Sequence, residues 1–207
     1  MSNQACCSRA VKEAAVPVSA SDQVDRLREI EEVAARARRD ARARLRDLGL
    51  ELDRSSNLRH VATVLTGGPV EAKPNLQVGG RRMAGTLSWP NGSPRILFET
   101  YDPPVRQRFS IAHELGHFYL HAGPAGAAGS NCLQTQVDVG DTPFAGDMSE
   151  RDEEADAFAG TLLLPAEALV ADLAEFGCCA AFLAERYVVS EATTRRRIRT
   201  LERLDLC

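Results

Sequence analysis

Residues 106–121, RQRFSIAHELGHFYLH, place three of the chain's four histidines at intervals of four residues. This spacing puts side chains on one face of an α-helix, about one turn apart. His113 and His117 would then lie about 40° apart around the helix axis, a separation that two imidazoles can bridge to one metal ion. We therefore predict a helix that carries a metal site, begins at Phe109 and ends before Gly123.

The acid between these two histidines has its own place in the pattern. Glu114 projects about 60° to the side of His117, so it would stand beside the metal and not bind it. A general base that takes a proton from water is needed at that place, and HELGH is the H-E-x-x-H pattern of zinc hydrolases. Apolar neighbours such as Ile111 and Leu115 predict a largely buried helix, in which an unpaired Glu would be costly. The alternative is an accidental match on a structural helix.

The third histidine of the segment, His121, would lie about 12 Å from His113 along the axis, so the two cannot share one metal. The longer pattern H-E-x-x-H-x-x-G-x-x-H does not fit either, because Leu120 takes the place of its Gly and Gly123 that of its last His. We predict that His121 satisfies helix carbonyls in the last turn, with the outer edge of the cleft as the alternative. His60, in a predicted upstream helix, is not expected to be a ligand.

An acidic segment further along the chain could supply the third metal ligand. Residues 149–165, SERDEEADAFAGTLLLP, predict a helix that begins with many acids and then becomes apolar. An acidic first turn is also favoured by the helix dipole, without any metal. Both interpretations apply to the same five side chains: Glu150, Asp152, Glu153, Glu154 and Asp156.

Composition excludes several classes of protein. The 207 residues are 44% hydrophobic and 26% charged with a net charge of -4, which gives no whole-chain attraction to nucleic acid or anionic lipid. No apolar run approaches the roughly 18 residues of a membrane span, and the first residues lack the apolar core of a signal peptide. The six cysteines match neither a zinc pattern nor a secreted disulfide framework. We therefore predict a cytoplasmic protein with reduced thiols and no membrane partner.

Periodicity along the chain predicts a mixed α+β fold. Two strands, 83–89 and 95–99, would be joined by a turn at Asn91-Gly92, with a further strand at 76–78. Residues 122–149 lack periodicity and predict a long loop. A first helix would be capped by Ser21 or Asp22. The predicted helices are 22–48, 56–65, the histidine helix, 150–164, 166–175, 179–187 and 191–204.

The histidine segment, followed by DEEADAFAGTLLLP and then by LAERYVVSEATTRRRI, resembles the ImmA/IrrE family of metallopeptidases over roughly residues 75–204. The resemblance implies a zincin-like metallopeptidase core, with a small antiparallel sheet and active-site helices, and a C-terminal helix-turn-helix-like bundle. We expect residues 1–20 to form a disordered tail, 21–164 the peptidase domain and 165–207 the helical domain. Known family members cut helix-turn-helix repressors and so derepress stress-response or mobile-element genes.

Carried over residue by residue, the resemblance implies that His113 and His117 bind zinc and that Glu114 is the base. No residue can be assigned as a second oxyanion donor. The candidates are Tyr101, Tyr119, His121 and Tyr187.

The family's second motif places the third ligand on the acidic helix. It typically reads Glu-x-x-Ala-Asn or Asp, then x-Phe-Ala, and alignment on ADAFA puts its ligand at Asp152 and its Asn/Asp at Asp156. Their spacing puts both on one helix face, so Asp152 would complete a site for one zinc ion per chain while Asp156 orients a ligand histidine. Because Asp is one methylene shorter than Glu, either the helix sits closer or Glu153 supplies the carboxylate. Glu154 is expected to point toward Phe158.

The C-terminal segment supports a second hypothesis. Ser190 can cap a helix that carries four arginines in a helix-turn-helix-like setting, as in a DNA reader with a structural or sensory zinc site. The resemblance implies instead that this segment packs on the peptidase core and that the partner is a repressor protein. A fold that has lost catalysis and acts by binding is a third hypothesis. The four arginines are Arg195, Arg196, Arg197 and Arg199.

Overall fold

The computed structural model of the chain describes residues 19–122, 133–135 and 150–207. Within these ranges the protein is a mixed α+β structure, mostly helical with one small sheet, which confirms the predicted class. The predicted tail 1–20 lies outside the described residues except for its last two positions. Most of the predicted loop 122–149 lies outside them as well.

The first helix, α1 (Ala20–Asp47), begins with a capping box. The Ser19 hydroxyl accepts a hydrogen bond from the Asp22 N–H (3.1 Å), and the Asp22 carboxylate accepts one from the Ser19 N–H (3.3 Å). The predicted cap at Ser21 or Asp22 was wrong, because Asp22 is the acid that completes the box and not the cap itself. The small or aliphatic buried side chains of this helix are Ile30, Ala34, Ala37, Ala41 and Leu45.

A short second helix, α2 (Leu58–Thr66), leads into the sheet. The Asn57 side chain caps it by accepting a hydrogen bond from the Arg59 N–H (3.1 Å), so the helix begins two residues after the predicted position 56. Gly67 ends it with a φ of 73°, a left-handed conformation that glycine adopts without strain.

The main sheet has four strands in the order β1-β5-β4-β6, and a separate hairpin pairs β2 with β3. Strand β4 runs antiparallel to both of its neighbours. The turn predicted at Asn91-Gly92 joins β4 to β5, and both residues have positive φ. The strands are β1 (Val70–Lys73), β2 (Gln77–Val78), β3 (Arg81–Arg82), β4 (Gly85–Ser88), β5 (Arg95–Glu99) and β6 (Leu133–Thr135).

The predicted all-antiparallel sheet was wrong at one edge, because β1 pairs with β5 in parallel. Its sequence, VEAK, is short and half polar, so it has no alternating pattern from which a strand could be predicted. Strand β6 lies inside the segment predicted as a loop. The predicted strand at 76–78 is real but belongs to the separate hairpin.

The buried carboxylate of Glu99 connects this hairpin to the main sheet. It accepts hydrogen bonds from the backbone N–H groups of Leu76 (2.7 Å), Tyr101 (3.0 Å) and Asn75 (3.2 Å). Burial alone would raise the pKa of Glu99, but these three donors lower it. The acid therefore fixes the chain on both sides of β5.

The histidine helix, α3 (Pro104–Leu120), begins at Pro104 and not at the predicted Phe109. Proline is well tolerated in the first turn, where its missing N–H would have no helical partner. The remaining helices follow the prediction within one or two residues. They are α4 (Glu150–Leu163), α5 (Ala166–Phe176), α6 (Ala180–Tyr187) and α7 (Glu191–Arg203), the last capped by Ser190 as predicted.

A single buried cluster runs from Ile30 on α1 to Leu201 on α7. It includes Phe98 from the sheet, Leu115 from α3 and Phe158 from α4, so side chains on both sides of the predicted boundary at residue 165 share one core. The division into domains stays a prediction.

Among the described residues, no single helix has the length and hydropathy to cross a membrane. The bent pair α4 and α5, at 63° to each other, meets those criteria only when both helices are counted together.

Candidate metal centre

Helices α3 and α4 bring three potential metal ligands together. Nε2 of His113 lies 3.1 Å from Nε2 of His117, which lies 3.4 Å from Oδ1 of Asp152. One ligand atom from each residue lies within 4.8 Å of the others. Both histidine side chains are 1% exposed and that of Asp152 is 19% exposed. The histidines are therefore shielded from solvent, and solvent reaches the group at Asp152.

Gly116 allows the two helices to come this close. A β-carbon on Gly116 would lie 2.8 Å from Cα and 3.0 Å from the carbonyl oxygen of Ala155, which is closer than real β-carbons approach backbone. Ala155 is also fully buried. The close approach explains how the short side chain of Asp152 comes near His117.

Two other acids of α4, Glu153 and Glu154, do not belong to this group. Glu153, the alternative third ligand, is exposed and does not belong to the three-residue group. Glu154 forms a two-point ion pair with Arg26 of α1, Oε1 to Nε at 2.5 Å and Oε2 to Nη2 at 2.8 Å. Of the two alternatives from the sequence, the structure therefore brings Asp152 to the histidines.

Glu114 is completely buried on α3 and lies under strand β4. A β-carbon on Gly85 would lie 2.8 Å from its Oε1 and 3.2 Å from its Cγ, so the glycine leaves just enough room for the carboxylate. The acid thus stands between the sheet and the helix, one residue after His113 and three before His117.

The second nitrogen of His113 is bound by an acid. Nδ1 lies 2.8 Å from Oδ1 of Asp156, and Arg196 of α7 pairs with the other oxygen of that carboxylate. Burial alone would lower the pKa of His113, but the hydrogen bond and charge of Asp156 outweigh it and raise the pKa. Burial alone would raise the pKa of Asp156, and His113 and Arg196 lower it. The structure thus places Asp156 at the position expected of an orienting residue.

The second nitrogen of His117 is bound by a histidine. Its Nδ1 lies 2.9 Å from Nδ1 of His121, whose Nε2 lies 2.8 Å from Oε2 of Glu154. The expectation that the His121 side chain satisfies helix carbonyls was wrong, because its ring is fully used between these two residues. The pKa of His117 is lowered to about 2 by burial and then by His113 and His121, so its ring is neutral at ordinary pH.

The other sequence candidates lie apart from this group. His60 is exposed on α2. The Tyr187 hydroxyl donates to buried Asp172 (2.7 Å), Tyr119 stacks on Phe158 with ring centres 5.7 Å apart, and the side chain of Tyr101 is exposed. None of these contacts assigns an oxyanion donor.

Three arginines of the run on α7 pair with acids of the chain itself. Arg195 binds Glu191 (2.6 Å) and Arg196 binds Asp156. Arg197 is 2% exposed, binds Glu31 of α1 and donates to the Leu164 carbonyl (2.9 Å). The contacts of Arg196 and Arg197 tie α7 to α4 and α1.

Sequence reasoning missed the residues that shape the site without binding a metal. Gly116 could have been singled out, because a small residue inside an H-E-x-x-H helix suggests a close neighbour. Gly85 and Arg26 carried no local signal, since their contacts join elements far apart in the chain.

A model of the peptidase M78 family, described as the IrrE N-terminal-like domain, matches residues 77–199. The chain therefore belongs to the ImmA/IrrE family of metallopeptidases. No curated protein matches the sequence. Membership implies a metallopeptidase, hence a bound metal, and the matched range contains all three residues of the group at α3 and α4.

The donor set fits such a metal. Two imidazole nitrogens and one carboxylate oxygen suit zinc, and each histidine has its other nitrogen bound by a neighbour.

Proposed function

We propose that this protein is a zinc-dependent peptidase in which His113, His117 and Asp152 hold one zinc ion and Glu114 is the general base. The observation that carries the proposal is the convergence of three ligand atoms within 4.8 Å, from two buried histidines of α3 and a partly exposed aspartate of α4. Three protein ligands leave an open position, as catalytic zinc sites require.

The fold we propose is a zincin-like core, formed by the sheet with α3 and α4, followed by a helix-turn-helix-like bundle of α5 to α7. In this proposal residues 21–164 form the peptidase part and 165–207 the bundle. The contacts of Arg196 and Arg197 support a bundle that packs on the core and completes it.

Zinc in this position supplies Lewis-acid activation of water and of a peptide carbonyl. Glu114 takes the proton from the attacking water and passes it to the leaving amine nitrogen. Asp156 holds the proton on Nδ1 of His113, which keeps the Nε2 lone pair directed into the site. The complete burial of Glu114 beside Gly85 limits its motion, so its carboxylate is positioned before substrate binds.

The substrate we propose is a cytoplasmic helix-turn-helix repressor, cut at one site, with derepression of stress-response or mobile-element genes as the consequence. The support for this substrate is family membership. A protein substrate is favoured over direct DNA reading, because three arginines of the α7 run are already paired within the chain.

The test incubates the zinc-loaded full chain with the repressors encoded beside its gene and looks for one discrete cleavage. Glu114→Gln is the matched control, because it should bind zinc as the wild type does and cleave nothing. Cleavage by the wild type alone supports the proposal. Equal cleavage by Glu114→Gln would contradict the assigned base, and binding of a repressor without cleavage by either protein would favour a binding function.

A further inference from the structure

His121 joins a candidate metal ligand to a buried ion pair. Its Nδ1 lies 2.9 Å from Nδ1 of His117, and its Nε2 lies 2.8 Å from Oε2 of Glu154. The His121 side chain is only 5% exposed, so water does not compete strongly for either nitrogen. Both ring nitrogens of His121 are therefore committed to one neighbour each.

The positions of the protons in this chain of contacts follow from one requirement, which rests on the proposed function. If Nε2 of His117 binds a metal, its lone pair must be available, and the ring proton must sit on Nδ1. That N–H can donate only to an acceptor, so Nδ1 of His121 is unprotonated. The proton of neutral His121 is then on Nε2, from which it donates to Glu154.

Arg26 of α1 completes the chain of contacts. Its guanidinium binds both oxygens of Glu154, at 2.5 and 2.8 Å. Such a two-point pair fixes the orientation of the carboxylate as well as its place. Each donor in the series Arg26, Glu154, His121 and His117 thus has an acceptor. With His117 bound to a metal, no other arrangement of protons satisfies the His117–His121, His121–Glu154 and Glu154–Arg26 contacts together.

We propose that His121 is a positioning residue for the metal ligand His117, and that Arg26 of α1 fixes His121 through Glu154. His113 contacts the carboxylate of Asp156 directly. His117 is connected to the carboxylate of Glu154 through the imidazole of His121. The two histidine ligands of the proposed site are thereby supported from different helices, His113 from α7 through Asp156 and His117 from α1 through Glu154.

The first experiment measures zinc affinity by chelator competition in the full chain, for the wild type, His121→Leu and His121→Asn. His121→Leu removes the acceptor for His117 and should weaken zinc binding by about 10- to 100-fold, the usual loss for residues that orient a metal ligand. His121→Asn can place its amide oxygen near the position of Nδ1 and should recover part of the affinity. Equal affinity of wild type and His121→Leu would overturn the proposal, as would an equal loss in both variants.

The second experiment tests the role of α1 with two arginines of the same helix. Arg26→Gln should weaken zinc binding, though less than His121→Leu, because Glu154 remains as an acceptor. Arg28→Gln is the matched control, since Arg28 is exposed and pairs within its own helix, with Asp25 at 3.0 Å. Equal affinities of the two variants would overturn the assigned role of Arg26.

Two further measurements separate positioning from general stability. Cobalt substituted for zinc should show an altered visible absorption band in His121→Leu and an unaltered band in Arg28→Gln, because the band reports the geometry of the ligands. Thermal unfolding without metal identifies any variant that fails to fold, in which case Glu154→Gln takes its place. A wild type that binds no metal would remove the proposed function itself, whereas a metal-binding wild type with unaffected variants would remove only this inference.

Discussion

The backbone of Ala155 passes so close to Gly116 that a β-carbon on the glycine would lie 2.8 Å from the Ala155 Cα. This contact sets the distance between the helix that carries the two histidines and the helix that carries Asp152. It also gives a physical reason why an aspartate, one methylene shorter than a glutamate, comes near the histidines: the helices are close enough for the shorter side chain.

Gly116→Ala should therefore damage both stability and metal binding. Overpacking of this kind costs about 1–3 kcal/mol in unfolding free energy, and the displaced α4 should weaken zinc affinity. Gly160→Ala on α4 is the matched control, because its new β-carbon would meet only Arg197 Cδ at 3.8 Å and would favour the helix. Denaturant unfolding and chelator competition measure the two effects. Unchanged values for Gly116→Ala would show that the helices can separate without cost.

Asp152→Ala should abolish stoichiometric zinc binding, because it removes the carboxylate that lies 3.4 Å from His117. Glu153→Ala, one residue further along the same helix, should retain full zinc. Metal content after gel filtration distinguishes the two variants. Full zinc in Asp152→Ala would transfer the ligand role to another acid.

Gly85→Ala should reduce peptidase activity while leaving zinc bound. Its new methyl group would meet the Glu114 carboxylate at 2.8 Å and push the base from its position, and the three atoms nearest to it all belong to Glu114. The variant should therefore behave like Glu114→Gln in metal content and cleavage rate. Wild-type activity would mean that Glu114 can adopt a second productive position.

Asp172→Asn should lower stability at neutral pH by about 1–3 kcal/mol, because buried Asp172 accepts from Tyr187 (2.7 Å) and Arg186 (2.9 Å). Burial alone would raise the pKa of Asp172, but these donors and the charge of Arg54 lower it. A carboxyl group whose pKa is lower in the folded state stabilises the fold above its unfolded pKa of about 3.9 and loses that contribution as the pH falls through its folded value.

The stability difference between wild type and Asp172→Asn should consequently shrink below about pH 4, as measured by urea unfolding at a series of pH values. Glu175→Gln, an exposed change on the same helix, is the control and should show little difference at any pH. A difference that stayed constant down to pH 3 would mean that packing, and not charge, accounts for it.

DNA should not shift in a mobility assay with this protein, even at about 50 mM salt, where phosphate contacts are strongest. Arg195, Arg196 and Arg197 pair with acids of the chain, whereas exposed Arg199 has no acid partner among the residues that the structure describes. A salt-dependent shift that is lost in Arg199→Gln would restore the DNA-reader hypothesis.

The structural features that could be predicted from the sequence are those marked by a regular spacing of residues or by a sequence motif. The spacing of His113 and His117 and the face shared by Asp152 and Asp156 follow from 3.6 residues per turn, and the structure brings these side chains together. The parallel strand β1 could not be predicted, because four half-polar residues contain no period. The role of His121 could not be predicted either, since it depends on Glu154 and Arg26, which are 128 residues apart.

The buried face of α1 has a consequence for the smallest piece of this protein that can fold. The range recognisable by family likeness, 77–199, begins after α1 and α2 have ended. A polypeptide cut to that range would expose the surface that Ile30, Ala34 and Ala37 cover, and would leave the buried guanidinium of Arg197 without Glu31. The segment that folds on its own is thus longer than the range 77–199 by which the family is recognised.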